Sequence, residues 1–107
     1  MTYQELPLFR ATDPETSRQV SPIRVGSHRA LLLKQYATAT LGLTDEEAGM
    51  RAAQAGHEIR GYWKRCSDLR TMGLIQDLGI RRAVSSGSQA IVCAITQSGF
   101  DMVRGLA

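Results

Sequence analysis

Residues 43–75, LTDEEAGMRAAQAGHEIRGYWKRCSDLRTMGLI, contain the features that decide the fold of this chain. Thr44 and Glu47 have the spacing of a capping box at the start of a helix. The acidic residues 45–47 suit the positive end of the helix dipole. Gly56 then interrupts the helix and can adopt the positive φ of a tight turn. The segment therefore predicts a short capped helix, a glycine turn and a second helix.

The second helix is predicted over His57–Met72, ending before Gly73, and its side chains divide into two faces. The apolar stripe is Ile59, Tyr62, Trp63, Cys66 and Leu69. Tyr62 and Trp63 could form a platform on which nucleic-acid bases stack, but their place on this stripe favours core packing. The opposite face, with Arg65 on its flank, is His57, Arg60, Gly61, Lys64 and Asp68. This basic face is compatible with an ordinary solvated surface and with a surface that contacts phosphates.

Two charged residues of this helix have expected partners. Asp68 has the helical spacing to pair with Lys64 or Arg65 on the surface. Arg70 lies near the apolar stripe, so its stem is expected to pack on the core while its guanidinium reaches a carboxylate. Both contacts are predicted to be structural.

Positive charge is unevenly distributed along the 107 residues, whose net charge is +3. Before position 57, six basic residues are matched by six acidic ones. From position 57 onward, seven basic residues face four acidic ones. A length of this kind fits one domain. The excess in its second half favours a partner with clustered negative charge, above all nucleic acid.

Several classes of protein are disfavoured by the sequence. Cys66 and Cys93 are far apart at apolar positions, which indicates core residues rather than a disulfide or a metal site. An enzyme would need one of these thiols to act with His57, and nothing orients that pair. Neither a signal peptide nor a membrane span is visible. We expect a non-enzymatic cytoplasmic protein without metal or cofactor.

The rest of the chain completes the predicted order of elements. Residues 1–26 are expected to form an arm with a short helix, and residues 27–107 a single domain. A polar tip at residues 85–88, beside Arg81 and Arg82, separates two strands and indicates a hairpin. The other predicted elements are a helix from Thr12, a helix over His28–Leu41 capped by Ser27, an uneven strand over Leu74–Val84, a strand over Gln89–Thr96 and a helix over Ser98–Arg104.

This order resembles the winged helix-turn-helix family over residues 12–104. The motifs DPETSR, LTDEEAG, WKRCSDLRTMGLIQDLG and AIVCAITQSG are similar to those of small winged-helix proteins from bacteriophages of actinobacteria. The resemblance implies an α+β, mainly α fold with a three-helix core, a β-hairpin wing and extra short terminal helices. Domains of this family serve as repressors, activators, replication or recombination accessory proteins, and protein-binding modules.

The resemblance implies binding to double-stranded DNA, with the helix over residues 57–72 in the major groove. The wing, residues 80–89, would lie on the backbone or in the minor groove. Since Gly61 and Glu58 do not read bases, specificity would rest on few side chains or on DNA shape. The residues that the resemblance assigns to DNA are His57, Arg60, Gly61, Lys64, Arg65, Arg81, Arg82, Ser86 and Ser88.

Two other partners remain open at the sequence level. An acidic host or phage protein would suit the same basic surface. A second copy of the chain could pack on apolar residues near either terminus. The two-fold symmetry of such a dimer would place the paired basic helices about one DNA turn apart. Those apolar residues are Leu6, Leu8 and Phe9 at one end and Phe100, Met102, Val103 and Leu106 at the other.

Overall fold

The computed structural model describes residues 23–106, which form four helices and one two-stranded antiparallel hairpin. The expected α+β class with mainly helical content is confirmed. The arm and short helix predicted over residues 1–26, and Leu6, Leu8 and Phe9 within that arm, lie outside or at the edge of the described residues. In chain order the elements are α1 (His28–Ala37), α2 (Asp45–Gln54), α3 (Tyr62–Thr71), β1 (Ile75–Ala83), β2 (Gln89–Ile95) and α4 (Gln97–Gly105).

One hydrophobic core holds these elements together. Helices α1, α2 and α3 pack against one another, while the hairpin and α4 close the core. Cys66 and Cys93 are both buried free thiols, as expected, and Tyr36 donates its hydroxyl to Cys66 Sγ at 3.5 Å. Burial raises the pKa of the Cys66 thiol to about 12, so this thiol stays protonated at neutral pH.

Helix α2 begins where the capping box predicts. Thr44 Oγ1 accepts a hydrogen bond from the Glu47 N–H at 3.1 Å, and Glu47 Oε1 accepts one from the Thr44 N–H at 3.0 Å. Two backbone donors that the first turn would leave without partners are therefore satisfied. The residue before this cap, Leu43, exchanges both backbone hydrogen bonds with Cys93 at 2.8 and 2.9 Å. This bridge, which was not predicted, fixes the start of α2 against β2.

The predicted start of the basic helix at His57 is wrong, because α3 begins at Tyr62. The His57 and Gly56 N–H groups both donate to carbonyls near the end of α2, and Gly56 has φ +95°. This is the hydrogen-bond pattern with which a helix ends, so His57 closes α2 and does not open α3. Ile59 then inserts into the core, and Gly61, with φ +69°, immediately precedes α3.

The late start of α3 also changes its apolar stripe. Ile59, Cys66 and Leu69 are buried, as predicted. Tyr62 is only half-buried, and Trp63 is 53% exposed, so the assignment of Trp63 to the core is wrong. Both aromatic residues occupy the first turn of α3, where the helix emerges from the core. The far end of the helix agrees with the prediction.

The hairpin is irregular on one side only. Pairing runs from Ile75↔Ile95 to Ala83↔Gln89, but two extra residues of β1 lie between the paired residues Asp77 and Arg81. This bulge explains the uneven apolar pattern of the first strand. The Gly87 N–H donates to Val84 O at 2.8 Å, which closes the polar tip as a tight turn.

The terminal helices of the described part also differ slightly from their predicted bounds. Helix α1 ends at Ala37 rather than Leu41, because the N–H groups of Ala39 and Gly42 donate to carbonyls three residues back, at 3.2 and 2.9 Å, instead of four as in an α-helix. In α4, Phe100, Met102 and Val103 pack against the core, and this leaves less apolar surface for self-association than the sequence suggested. Among the described residues, no helix is long and apolar enough to cross a membrane.

Candidate nucleic-acid interface

The N-terminal end of α3 carries the densest group of predicted site residues. A cleft of about 430 Å³ opens there, and we call it the basic cleft. It brings together Arg60, Gly61, Lys64 and Arg65, four of the residues that the family resemblance predicts to contact DNA. The full lining is His28, Arg60, Gly61, Trp63, Lys64 and Arg65.

Two cations of the basic cleft are available to a ligand. Arg60 and Lys64 are exposed, and neither forms an ion pair with another residue between 23 and 106. The N-cap, Gly61, provides no side chain to bond the first N–H groups of α3. A helix start without a side-chain cap, next to two cations, favours negatively charged groups. His57 is exposed beside this surface but does not line the cleft.

Arg65 is held in place by an acidic residue shared with another helix. Asp68 Oδ2 accepts hydrogen bonds from Arg29 Nε and Nη2 at 3.0 and 2.9 Å. Arg65 Nε lies 3.2 Å from the same oxygen, although the two groups are not aligned for a hydrogen bond. The predicted pairing of Asp68 with Arg65 is confirmed, while Arg29 was not expected. Since one carboxylate faces two guanidinium groups, positive charge remains in excess here.

Trp63 forms the wall between the basic cleft and a second cleft beside the hairpin. Its ring meets that of Tyr62 edge-on, with centroids 5.1 Å apart and planes at 86°. Tyr62 is itself seated on α2, because a Cβ at Gly49 would lie only 2.7 Å from the tyrosine ring. The second cleft, about 370 Å³ and here called the hairpin cleft, is lined by Asp45, Glu46, Tyr62, Trp63, Val84, Ser85, Ser86, Ala90 and Ile91.

The predicted site residues of the hairpin do not join the basic cleft. Arg81 Nη1 donates to Ile80 O at 3.2 Å and lies 3.7 Å from Asp77 Oδ1. Ser86 lines the hairpin cleft and accepts a long 3.5 Å hydrogen bond from the Ser88 N–H. These side chains are exposed along the hairpin and remain accessible to a ligand.

Arg82 faces the opposite way and ties the hairpin to α2. Its Nη1 donates to Glu47 Oε1, and the Ser85 N–H donates to Glu46 Oε1 at 2.8 Å. Ser85 Oγ also donates to Glu46 Oε2. The hydrogen bonds from Ser85 hold the pKa of Glu46 below its ordinary value. We call the contacts of Arg82 with Glu47 and of Ser85 with Glu46 the hairpin clamp. Through it, two acidic residues of the first turn of α2 bind the hairpin in addition to interacting favourably with the helix dipole.

Comparison with protein-family models, curated proteins and solved structures found no match. Within residues 23–106, no group of three or more His, Cys, Asp or Glu side chains is arranged to hold a metal ion. What the basic cleft offers is charge, hydrogen-bond donors and an exposed indole. Such a surface can bind an anion without covalent chemistry.

Three residues in or beside the basic cleft were not predicted from the sequence. His28 and Arg29 belong to α1, and their position beside α3 depends on how two distant helices pack. Trp63 was assigned to the core because a helix starting at His57 would turn it inward. The one local signal was Gly61, since a glycine is disfavoured within a helix and is better suited to the position just before one.

Proposed function

We propose that this chain is a winged-helix protein that binds double-stranded DNA with some preference for sequence. In this proposal α3 approaches the major groove through its N-terminal end, and the hairpin lies along the neighbouring backbone. The cellular role would be regulation of transcription, or assistance to phage recombination or replication. Because α3 begins at Tyr62, His57 and Arg60 lie on the loop before it, and fewer of the proposed DNA-contacting residues belong to the helix that would enter the groove.

The observation that carries the proposal is the basic cleft. Arg60 and Lys64 reach it from the loop before α3 and from the first turn of α3, and neither has an acidic partner among the described residues. Arg65 adds a third cation whose position is fixed by Asp68. Phosphates of a duplex are the ligand that a group of fixed and free cations suits best.

Fluorescence anisotropy with a labelled pool of random duplexes tests the proposal, followed by selection of the retained sequences. Arg60→Ala and Lys64→Ala are expected to weaken binding, each by about 1–3 kcal/mol if the residue contacts a base edge with two hydrogen bonds. If the contact is to a phosphate, affinity falls equally for all sequences, and the slope of log affinity against log salt concentration becomes shallower by about one.

Lys34→Ala is the matched control. Lys34 is an exposed lysine of α1 that does not line the basic cleft, and it likewise forms no ion pair with another residue between 23 and 106. Its replacement removes the same charge and is expected to change affinity little. Equal effects of Lys34→Ala and Lys64→Ala would indicate general attraction to a basic protein. Absence of duplex binding at low salt and micromolar protein would refute the proposal.

The hairpin clamp favours a second candidate function, a winged-helix module that binds an acidic host or phage protein. Arg82 is already paired with Glu47, and the exposed Glu58 lies beside Arg60, so DNA would meet carboxylates at both places. A folded protein partner can place its acidic groups between these positions, whereas a duplex carries phosphates at regular intervals.

Capture from a nuclease-treated host lysate separates the two candidates. A stoichiometric protein that is retained by the wild-type chain and lost with Lys64→Ala supports the second candidate. Loss of all bound material on nuclease treatment supports DNA. Duplex DNA added as a competitor shows whether both ligands use the basic cleft.

A further inference from the structure

Trp63 is the part of this surface that duplex binding through cations leaves unused. It lines the basic cleft on one side and the hairpin cleft on the other, with 53% of its area exposed. The edge-on contact with Tyr62 fixes the indole but cannot cover both of its faces. Because Tyr62 is seated against Gly49, this exposed ring is held by the fold.

The two clefts beside Trp63 differ in charge. The basic cleft holds three cationic side chains. The hairpin cleft holds the carboxylates of Asp45 and Glu46, already bound to Arg70 and Ser85, and its remaining side chains are aromatic, aliphatic or hydroxyl groups. A phosphate is therefore attracted on one side of the indole and repelled on the other. An uncharged flat group suits the second side.

We infer that Trp63 stacks on an unpaired base whose phosphate lies in the basic cleft, so the preferred ligand is a duplex with a single-stranded extension. This inference rests on the proposed DNA-binding function. A base within an intact duplex is stacked on its neighbours and cannot lie against the indole. An unpaired base can, and the hairpin cleft, at about 370 Å³, has room for a small flat ligand.

The single tryptophan of the chain provides the test, since its fluorescence reports directly on the proposed contact. Three ligands share one duplex: a blunt form, a form with a short thymidine extension, and a form with an extension of abasic nucleotides. The last two carry the same phosphates and differ only in their bases. We expect tryptophan quenching with the thymidine extension, together with roughly five- to hundredfold tighter binding than to the abasic form.

Variants connect this preference to the side chain. Trp63→Ala is expected to weaken binding to the thymidine extension most, and so to remove the preference for thymidine over abasic extensions, measured by anisotropy. Leu41→Ala replaces another exposed apolar residue, which is 87% exposed and lines neither the basic cleft nor the hairpin cleft, and it is expected to keep the preference. Because Trp63 is exposed, we expect its replacement to leave the fold intact, which circular dichroism checks.

Each other outcome has a defined meaning. Equal affinity for thymidine and abasic extensions, with normal duplex binding, would overturn this inference and leave the proposed function in place. An equal loss for all three ligands in Trp63→Ala would make Trp63 a general contact and would overturn it too. Binding of none of the ligands would refute both. Quenching by a glutamate-rich peptide as strong as that by DNA would point to an acidic protein instead.

Discussion

Replacement of Arg70 by methionine is expected to destabilise the fold substantially, because Arg70 joins α3 to the start of α2. Its Nη1 and Nη2 donate to Asp45 Oδ1 and Oδ2 at 2.8 and 3.2 Å. Nη1 also lies 3.6 Å from Cys93 Sγ, at the edge of the core. The side chains of the pair are only 25% and 23% exposed. Methionine keeps most of the apolar stem and removes the charge.

The expected magnitude follows from this intermediate burial. An exposed ion pair contributes about 0–1 kcal/mol, whereas removing one partner of a fully buried pair costs about 3–5 kcal/mol. Two aligned hydrogen bonds between charged groups, three-quarters shielded from water, should lie between these limits. We expect Arg70→Met to lower the free energy of unfolding by about 2–3 kcal/mol, since a hydrogen bond to a charged group contributes about 1.5–3 kcal/mol.

Urea denaturation of the wild type, Arg70→Met, Asp45→Asn and the double variant measures this coupling. Thermal unfolding should show a decrease in Tm of about 10–20 °C for Arg70→Met, at about 4–8 °C per kcal/mol for a domain of this size. The control is Arg104→Met, because Arg104 pairs with Asp101 on the surface, with 68% and 57% of the side chains exposed. The control should lose no more than about 0.5 kcal/mol. Equal losses in the two methionine variants would refute the reasoning.

Two further predictions concern a close backbone contact and the response to acid. Gly99→Ala is expected to lower the free energy of unfolding by about 1–3 kcal/mol, because its Cβ would lie 2.2 Å from Leu74 O. Gly105→Ala has no atom within 4 Å of the added Cβ and lies at the last residue of α4, so it should raise the free energy of unfolding by no more than about 0.5 kcal/mol. Denaturation curves that rank the two variants alike would contradict this. The hydrogen bonds from Ser85 lower the pKa of Glu46 in the folded state. Their contribution to the free energy of unfolding is therefore fully present above the ordinary glutamate pKa of about 4.3, and it is lost as the pH falls through the lowered pKa. Wild type should therefore lose more stability than Glu46→Gln on acidification through this range, and equal losses in denaturation at each pH would count against the hairpin clamp.

Features whose chemistry lies within four residues could be predicted from the sequence. The capping box of Thr44 and Glu47, and the helix ends at Gly56 and Gly73, depend on hydrogen bonds between near neighbours in the chain. The core positions of α3 were also predicted, since Cys66 and Leu69 alternate with polar residues at helical spacing. The predicted contact of Arg70 with a carboxylate was confirmed, although its partner could not be named.

The start of α3 could not be predicted, because two local structures compete for His57. Its position suits the first turn of a helix, but its N–H is needed to end α2. Periodicity did not separate these alternatives, since Ile59 is buried either way. The error mattered for function: it placed Trp63 in the core and Arg60 on a helix.

Contacts between segments far apart in the chain could not be predicted from the sequence, for a different reason. Arg29 meets Asp68 across 39 positions, and Glu46 meets Ser85 across the same separation. No periodicity or spacing connects residues so far apart, and only the packing of the core determines which charges become neighbours. The composition of the basic half was correct as a guide to net charge, yet it did not reveal which cations have no acidic partner among residues 23–106.

A single carboxylate oxygen links the local and the distant structure. Glu47 Oε1 accepts from the Thr44 N–H within the cap and from Arg82 Nη1 in the hairpin. Fixing a glutamate side chain has an entropic cost, and on an ordinary surface each ion pair must bear that cost by itself. Here one glutamate rotamer serves both contacts, so the entropic cost of fixing it is shared between the cap and the ion pair with Arg82. The start of α2 and the docking of the hairpin are therefore linked through this one side chain.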